Sequence, residues 1–401
     1  MNLPHDDFCV LPWISLEASP IGTVRPCCLA EEEIVDNDGN KFELSTANFA
    51  DIQNSEYMRE LRTDFLIGSR PDTCKKCWAV EDAGGTSKRQ HTINRLQHID
   101  MGAVWTQDAK PLMFLDLKLG NICNLKCRIC GSWSSSQFAT EELKFVKDKK
   151  TSFHYQMLKS GAWPRENTSF WNQIDDCLND IRYIEFTGGE PFLIQEHFDM
   201  LAGIVRRGIA HQVEIHYNTN GTQFPEYAED IWRHFKTVEI AFSIDDVGER
   251  FEYQRTNAVW TEVCANLDRF RDLKEIYPNI VLQICTTVNV FNVYYLDQVA
   301  EWIARNRESF NFVYWNMLHE IEYFSISRLP RTVKSALTLH LQTCSVSSEF
   351  RKEFDNIIDF MNQGDSLDGS AMLSAMRQLD QRRNQNLRAV APELADLIGY
   401  E

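Results

Sequence analysis

From residue 110 onward, short runs rich in β-branched and aromatic residues alternate with longer stretches in which apolar side chains return every three or four positions. The first pattern suits a buried strand and the second a helix with one buried face, so their alternation is that of repeated βα units. Six strands are predicted, at 112–119, 182–187, 212–217, 238–244, 280–289 and 311–318. Helices are predicted between them at 134–147, 195–207, 224–235, 261–277 and 293–306. Six parallel strands joined in this way predict an α/β fold, a partial (β/α)6 barrel. Residues 149–180 interrupt the alternation as a long insertion containing Trp163, Phe170 and Trp171. The predicted division is a cysteine-rich module at 1–109, the barrel at 110–326 and a helical extension at 327–401.

In β/α architectures the loops at the carboxyl ends of the strands converge on one face, where chemistry is done. Five successive strand ends here carry polar or metal-binding residues. The first is followed by Cys123, Cys127 and Cys130, the second by Thr187-Gly188-Gly189-Glu190-Pro191, and the third by Asn218-Thr219-Asn220-Gly221. The fourth ends in Ser243-Ile244-Asp245 and the fifth in Thr286-Thr287-Val288-Asn289. A 4Fe-4S cube held wholly by protein takes four cysteines, so three in one loop leave an iron open to another ligand. Zinc is the competing reading, although structural zinc usually takes its ligands from paired Cys or Cys/His knuckles that close its sphere.

Cys-x3-Cys-x2-Cys after a first strand, with Gly-Gly-Glu-Pro after the second, resembles the signature of radical S-adenosylmethionine (SAM) enzymes. The resemblance implies a 4Fe-4S cluster on Cys123, Cys127 and Cys130, with the amino and carboxylate groups of SAM on the open iron. Ile129 stands where many members carry an aromatic residue. By the same likeness Gly188, Gly189 and Glu190 meet the methionyl amino group, with Glu190 either binding or bracing the turn. Ser243 and Arg255 meet the carboxylate, although Asp246 stands where glycine is common. Asn218, Asn220 and Asp245 suit the ribose, and Asn289 the adenosine. Taken alone, Gly188-Gly189 and Asn220-Gly221 also read as ordinary turns, and Arg255 as a surface ion pair. The chemistry implied is oxidoreductase chemistry: one-electron reduction by a partner such as flavodoxin or ferredoxin, cleavage of SAM to a 5'-deoxyadenosyl radical, and hydrogen abstraction from substrate.

A second cysteine set, Cys9, Cys27, Cys74 and Cys77, precedes the barrel. Between its first two members the chain reads as a hairpin that turns at Ser19-Pro20-Ile21-Gly22 and brings those cysteines together. Gly22-x4-Cys27 followed by Cys74-x2-Cys77 resembles the twitch or SPASM pattern of auxiliary iron-sulfur modules, placed here before the barrel rather than after it. That likeness implies an auxiliary 4Fe-4S cluster, with Cys28 as an alternative to Cys27. A zinc knuckle is the other reading of four cysteines.

Charge narrows the partners. Across 401 residues, 58 acidic side chains oppose 41 basic ones, a net charge of -17. No basic run has the aromatic interleaving of a nucleic-acid groove, so nucleic acid is disfavoured. The densest basic patch, Lys144 to Lys150, interleaves with acids and reads as a solvated helix face. Residues 1–8 show no basic segment leading into an apolar one, and no apolar run reaches the ~18 residues of a membrane span, so a cytoplasmic protein with no membrane partner is expected. In such a chain twelve cysteines point to metal or redox work rather than disulfides. A peptide or protein substrate is the leading expectation and a small molecule, such as an amino acid or sugar derivative, the alternative. A non-enzymatic iron-sulfur carrier or zinc-stabilised interaction protein is the reading outside catalysis.

Overall fold

A computed structural model describes residues 2–82, 84–102 and 104–401 and contains all six predicted strands. In chain order the strands are β1 (Ser15–Ala18), β2 (Val24–Arg25), β3 (Phe114–Lys118), β4 (Lys126–Cys127), β5 (Tyr183–Thr187), β6 (Glu214–Thr219), β7 (Thr237–Ser243), β8 (Arg255–Thr256), β9 (Ile280–Val288) and β10 (Phe312–Met317). The chain divides into two units. One comprises Met1–Ile122, Glu142–Tyr217 and Tyr227–Val238, the other Cys123–Glu141, Asn218–Glu226 and Glu239–Glu401.

In the first unit the strand order is β6-β5-β3-β1-β2. β2 is antiparallel to β1, whereas β1, β3, β5 and β6 pair in parallel. β1 and β2 are the hairpin predicted between Cys9 and Cys27, closed by Ser19 N–H on Thr23 O at 2.8 Å. The sequence pattern does not reveal that β1 also pairs with β3, Ser15 opposite Phe114 and Ala18 opposite Leu117. A strand of the cysteine-rich segment thereby covers an edge that would otherwise expose unpaired backbone. The insertion supplies helices Phe153–Ser160 and Thr168–Cys177. Between them Trp163 packs edge-on against Phe170 at 4.8 Å and lies over Gly22, where an added Cβ would come within 3.0 Å of the indole. The insertion therefore holds the hairpin turn. The helix expected at 224–235 shrinks to Glu229–Trp232, because Pro225 drives Phe224 out of helical backbone.

The apolar faces of these strands, including Leu115, Leu117, Ile184, Phe186, Ile215 and Tyr217, are buried. Burial of each such side chain contributes about 1.5–3 kcal/mol. Phe186 stacks on Tyr217 at 5.1 Å and meets His197, from helix Gln195–Arg206, at 4.6 Å.

In the second unit β9 lies between β7 and β10, and β10 pairs with it in parallel, Phe312 opposite Gln283 and Met317 opposite Val288. Helix Trp260–Ile276 covers the strands through Phe270, whose ring is 5.1 Å from that of Phe242. β4 and β8 form a separate two-stranded ribbon, Cys127 opposite Arg255. Beyond β10 come helices Arg331–Thr343, Arg351–Gln363, Ser370–Arg383 and Pro392–Ile398. Among the described residues no helix is long and apolar enough to cross a membrane.

His197 gives the fold a pH signature. Fully buried, its ring meets Ile194 O at 2.6 Å and the Tyr217 hydroxyl at 3.2 Å, and burial lowers its pKa from 6.5 to about 3. An unfolded chain takes up this proton near pH 6.5 and the native one does not, so the contribution is complete above that pH and is lost as pH falls towards 3. Denaturant titrations between pH 6.5 and 5 should show a slope of up to about 1.4 kcal/mol per pH unit from this one proton. The variant His197→Phe should lack that component; an unchanged slope would count against a neutral buried imidazole.

Candidate functional site

The cysteine loop belongs to the second unit. Ser136 Oγ lies 3.3 Å from both the backbone N–H and the carbonyl of Cys123, and the Ser135 hydroxyl donates to Leu125 O at 2.6 Å. The β4–β8 pairing sets Arg255 against Cys127, and Arg128 N–H donates to Gln254 O at 2.8 Å. Cys123 is buried, and Cys127 and Cys130 are partly covered. Burial pushes the Cys127 thiol up while Arg255 draws it down, and burial with Cys127 pushes Cys130 to about 12. Such thiols become thiolates only when a cation replaces the proton, which suits metal ligands.

Asn220, foreseen at the end of the third predicted strand, and Arg255, foreseen downstream of the fourth, turn N–H groups towards these sulfurs. Asn220 Nδ2 is 3.9 Å from Cys123 Sγ, and Arg255 Nη1 is 3.9 Å from Cys127 Sγ. Asn220 is fixed by Asn124 Oδ1 at 3.0 Å and accepts from the Thr222 N–H at 2.9 Å, so its turn geometry and its approach to the cysteine coexist. Arg255 is buried rather than on the surface and pairs with Asp245 Oδ2 through Nε at 2.9 Å and Nη2 at 2.7 Å. Asp245 also accepts from Thr287 N–H at 2.9 Å. Asp246 is buried too; its carboxyl, pushed to about 7 by burial against the pull of Arg250, joins Val247 N–H, Arg250 and Gln254. Asn289 directs its amide to Thr287 O and Gln254, Asn218 accepts from Tyr314, and Ser243 is half-buried at the end of β7.

The Gly-Gly-Glu turn lies in the first unit. Gly188 and Gly189 adopt φ of 71° and 50°, and a Cβ on Gly189 would stand 2.4 Å from the carbonyl oxygen of Ile122, the residue before Cys123. Glu190 N–H donates to that same carbonyl at 2.7 Å. Its buried carboxylate accepts from Phe192 N–H at 3.2 Å and so caps the turn.

Cys9, Cys27, Cys74 and Cys77 line one small pocket in the first unit. They stand around that space; among the described residues no three His, Cys, Asp or Glu converge on a single ion position. Burial raises the Cys9, Cys27 and Cys74 thiols, and neighbouring cysteines add to the effect. Cys28 is not in the cavity lining; its thiol, also raised by burial, is acted on by Asp116, Lys88 and Glu185. Arg89 brings the cysteine-bearing segments together, donating to Asp6 O and Phe8 O at 2.6 and 2.8 Å and pairing with Glu81 at 2.6 Å.

The helical extension holds the cysteine loop, a role absent from the sequence reading. Arg128, between Cys127 and Cys130, is fully buried, stacks 3.6 Å over Tyr253 and reaches Asp380 at 2.5 Å. Asp380 also accepts from the Tyr253 and Tyr400 hydroxyls at 2.9 and 2.6 Å. Lys126 bonds Glu141 at 2.6 Å, and Glu141 accepts two bonds from Arg383 at 3.0 and 2.8 Å. The available signal was the presence of two cations, Lys126 and Arg128, inside a loop too covered to solvate them.

Residues 117–303 match the family model of the radical SAM superfamily, and residues 9–78 that of an iron-sulfur cluster-binding domain. The region 117–303 is thus similar to the radical SAM superfamily, and the region that matches a cluster-binding domain precedes it in the chain. The cofactors that go with these domains are SAM and 4Fe-4S clusters, and such clusters take cysteine thiolates as ligands. No curated protein matches the chain. Among solved structures it is similar to anSMEcpe with bound AdoMet and Cp18Cys peptide, at 18% identity over 62% of each chain and a TM-score of 0.40. It is also similar to Streptococcus suis SuiB bound to S-adenosylmethionine, at 10% identity over 92% of this chain and 72% of that one, with a TM-score of 0.33. The aligned part thus spans about three fifths of anSMEcpe (62%).

Two substitutions test the supports. Asp380→Ala leaves the Arg128 guanidinium buried without its carboxylate; breaking such a pair costs about 3–5 kcal/mol, so Tm and iron bound per chain should both fall. Unchanged iron and Tm would deny Asp380 its role. Gly189→Ala meets a backbone carbonyl at positive φ and should cost at least about 1–3 kcal/mol in denaturant unfolding. Gly208→Ala, at φ 73° with nothing within 4 Å of the new Cβ, should cost only the conformational penalty of about 1 kcal/mol.

Proposed function

We propose that the protein binds SAM at a 4Fe-4S cluster held by Cys123, Cys127 and Cys130, and uses it to abstract hydrogen from a peptide or protein substrate. When bound and reduced by one electron, the cluster and SAM together supply a 5'-deoxyadenosyl radical. Cys9, Cys27, Cys74 and Cys77 hold the auxiliary cluster, and Cys28 does not. The observation that carries this reading is the pair of N–H groups, from Asn220 and Arg255, directed at two sulfurs of the three-cysteine loop. Hydrogen bonds to ligand sulfurs tune the potential of iron-sulfur clusters.

The chain's own residues divide the work. Arg255, neutralised by Asp245, offers Nη1 to Cys127 and so limits the charge gathered by three thiolates. The Ser243 hydroxyl provides a polar contact for the methionyl group, and Asn218 and Asn220 serve the ribose. Asn289 and Asp245 act mainly by bracing the loops on which these groups sit, since their polar atoms bond Thr287, Gln254 and Arg255. A flavodoxin or ferredoxin supplies the electron. The peptide is named first because many superfamily members with auxiliary cluster domains modify peptides; a small molecule is the alternative, separated by mass analysis of candidate substrates after anaerobic incubation.

Cysteine substitutions provide the test. With SAM and dithionite, Cys127→Ala should form no 5'-deoxyadenosine above background, whereas Cys74→Ala should still form it. Iron per chain should drop in Cys27→Ala and hold in Cys28→Ala. Retained cleavage in Cys127→Ala, or stoichiometric zinc in place of iron after anaerobic purification, would overturn the proposal.

A further inference from the structure

The strands of the first unit bury a polar side as well as an apolar one. Alternation along β1, β3, β5 and β6 sets Leu16, Leu115, Ile184 and Ile215 on one face, and Glu17, Asp116, Glu185 and His216 on the other. Register makes the second set a row: Glu17 is opposite Asp116, Asp116 opposite Glu185, and Glu185 opposite His216. Neighbours in such a row sit about 4.8 Å apart along the sheet. Glu17 is 0% exposed and Asp116 2%.

Cations answer only part of this row. Lys118 Nζ bonds Glu17 Oε1 at 2.7 Å and Asp116 Oδ1 at 3.1 Å, and Lys88 bonds Glu185 at 2.7 Å. Arg25 reaches the same Glu17 oxygen only at 3.5 Å. The second oxygen of each neighbouring carboxylate, Glu17 Oε2 and Asp116 Oδ2, is buried with no hydrogen-bond partner. A buried acceptor left unmet costs about 1–3 kcal/mol, and more if charged, so two side by side are expensive unless something donates to them. The cations beside the row reach solvent in part: the Lys118, Lys88 and Arg25 side chains keep 18%, 21% and 26% of their surface exposed.

We infer that Glu17 and Asp116 form a subsite for a primary ammonium group of the ligand, whose N–H donors satisfy Glu17 Oε2 and Asp116 Oδ2 together. A primary ammonium offers three donors from one atom, enough for two carboxylates on adjacent strands, and such bonds are charge-assisted. The net charge of -17 favours approach of cationic ligands. Calling that ligand the substrate rests on the proposed function; the binding does not.

The experiment uses the full chain with its metal centres reconstituted, without SAM or reductant, so a failed radical reaction cannot be mistaken for a failed subsite. Saturation-transfer NMR titrations would compare butylammonium, butyramide and tetramethylammonium, which are respectively a cationic donor, a neutral donor and a cation with no N–H. Butylammonium should bind at least about tenfold more tightly than the other two, and lose about tenfold or more in both Asp116→Asn and Glu17→Gln. Two variants at separate strands guard against one that misfolds, with Tm recorded for each. Equal binding of the three probes, no binding of butylammonium, or wild-type affinity in a folded variant would each overturn the inference. Butyramide binding as tightly as butylammonium would assign the oxygens to a neutral donor instead.

Discussion

The parallel pairing of β1 with β3 is the contact on which the first unit depends. It joins segments about a hundred residues apart, Ser15 to Phe114, through backbone hydrogen bonds that no substitution other than proline removes directly. From it follow the position of the hairpin that ends near Cys27, the packing of Trp163 over Gly22, and the placement of Glu17 beside Asp116. A shift of one residue in that register would turn Glu17 onto the apolar face and Leu16 onto the polar one.

Buried charge is handled differently in the two units. Around the cysteine loop each buried charge has an opposite partner, Arg255 with Asp245, Arg383 and Lys126 with Glu141, Arg128 with Asp380, although Arg128 Nη1 makes no hydrogen bond. Breaking any of these pairs strands a charge, so they fix geometry more surely than they add net stability. Along the β1–β6 row the matching stops short at two carboxylate oxygens. The thiols at both cysteine sets are a third case: burial favours their protonated form, and only a metal centre reverses that preference.

Much of this architecture was legible in the sequence, because periodicity reports burial directly. All six predicted strands are present, and the loops carrying Cys123, Gly188, Asn220 and Asp245 follow the strands expected to carry them. The hairpin between Cys9 and Cys27 was readable from its turn residues. The β1–β3 pairing was not, since β1 is four residues long and nothing local says which distant strand it joins. Nor was the polar row: Glu17, Asp116 and Glu185 look like ordinary polar positions until register aligns them. Arg255 was read as equally consistent with a surface pair, and Glu190 as a binder or a brace, because exposure and capping are properties of the assembled turn.

The anchoring of Arg128 by Asp380 spans 252 residues of chain. Synthesis runs from the N-terminus, so the loop bearing Cys123, Cys127 and Cys130 leaves the ribosome long before helix Ser370–Arg383 exists to hold it. Its final conformation is therefore a late event in the life of the nascent chain. The anchored form of the loop is thus available only once the chain through Asp380 has been made.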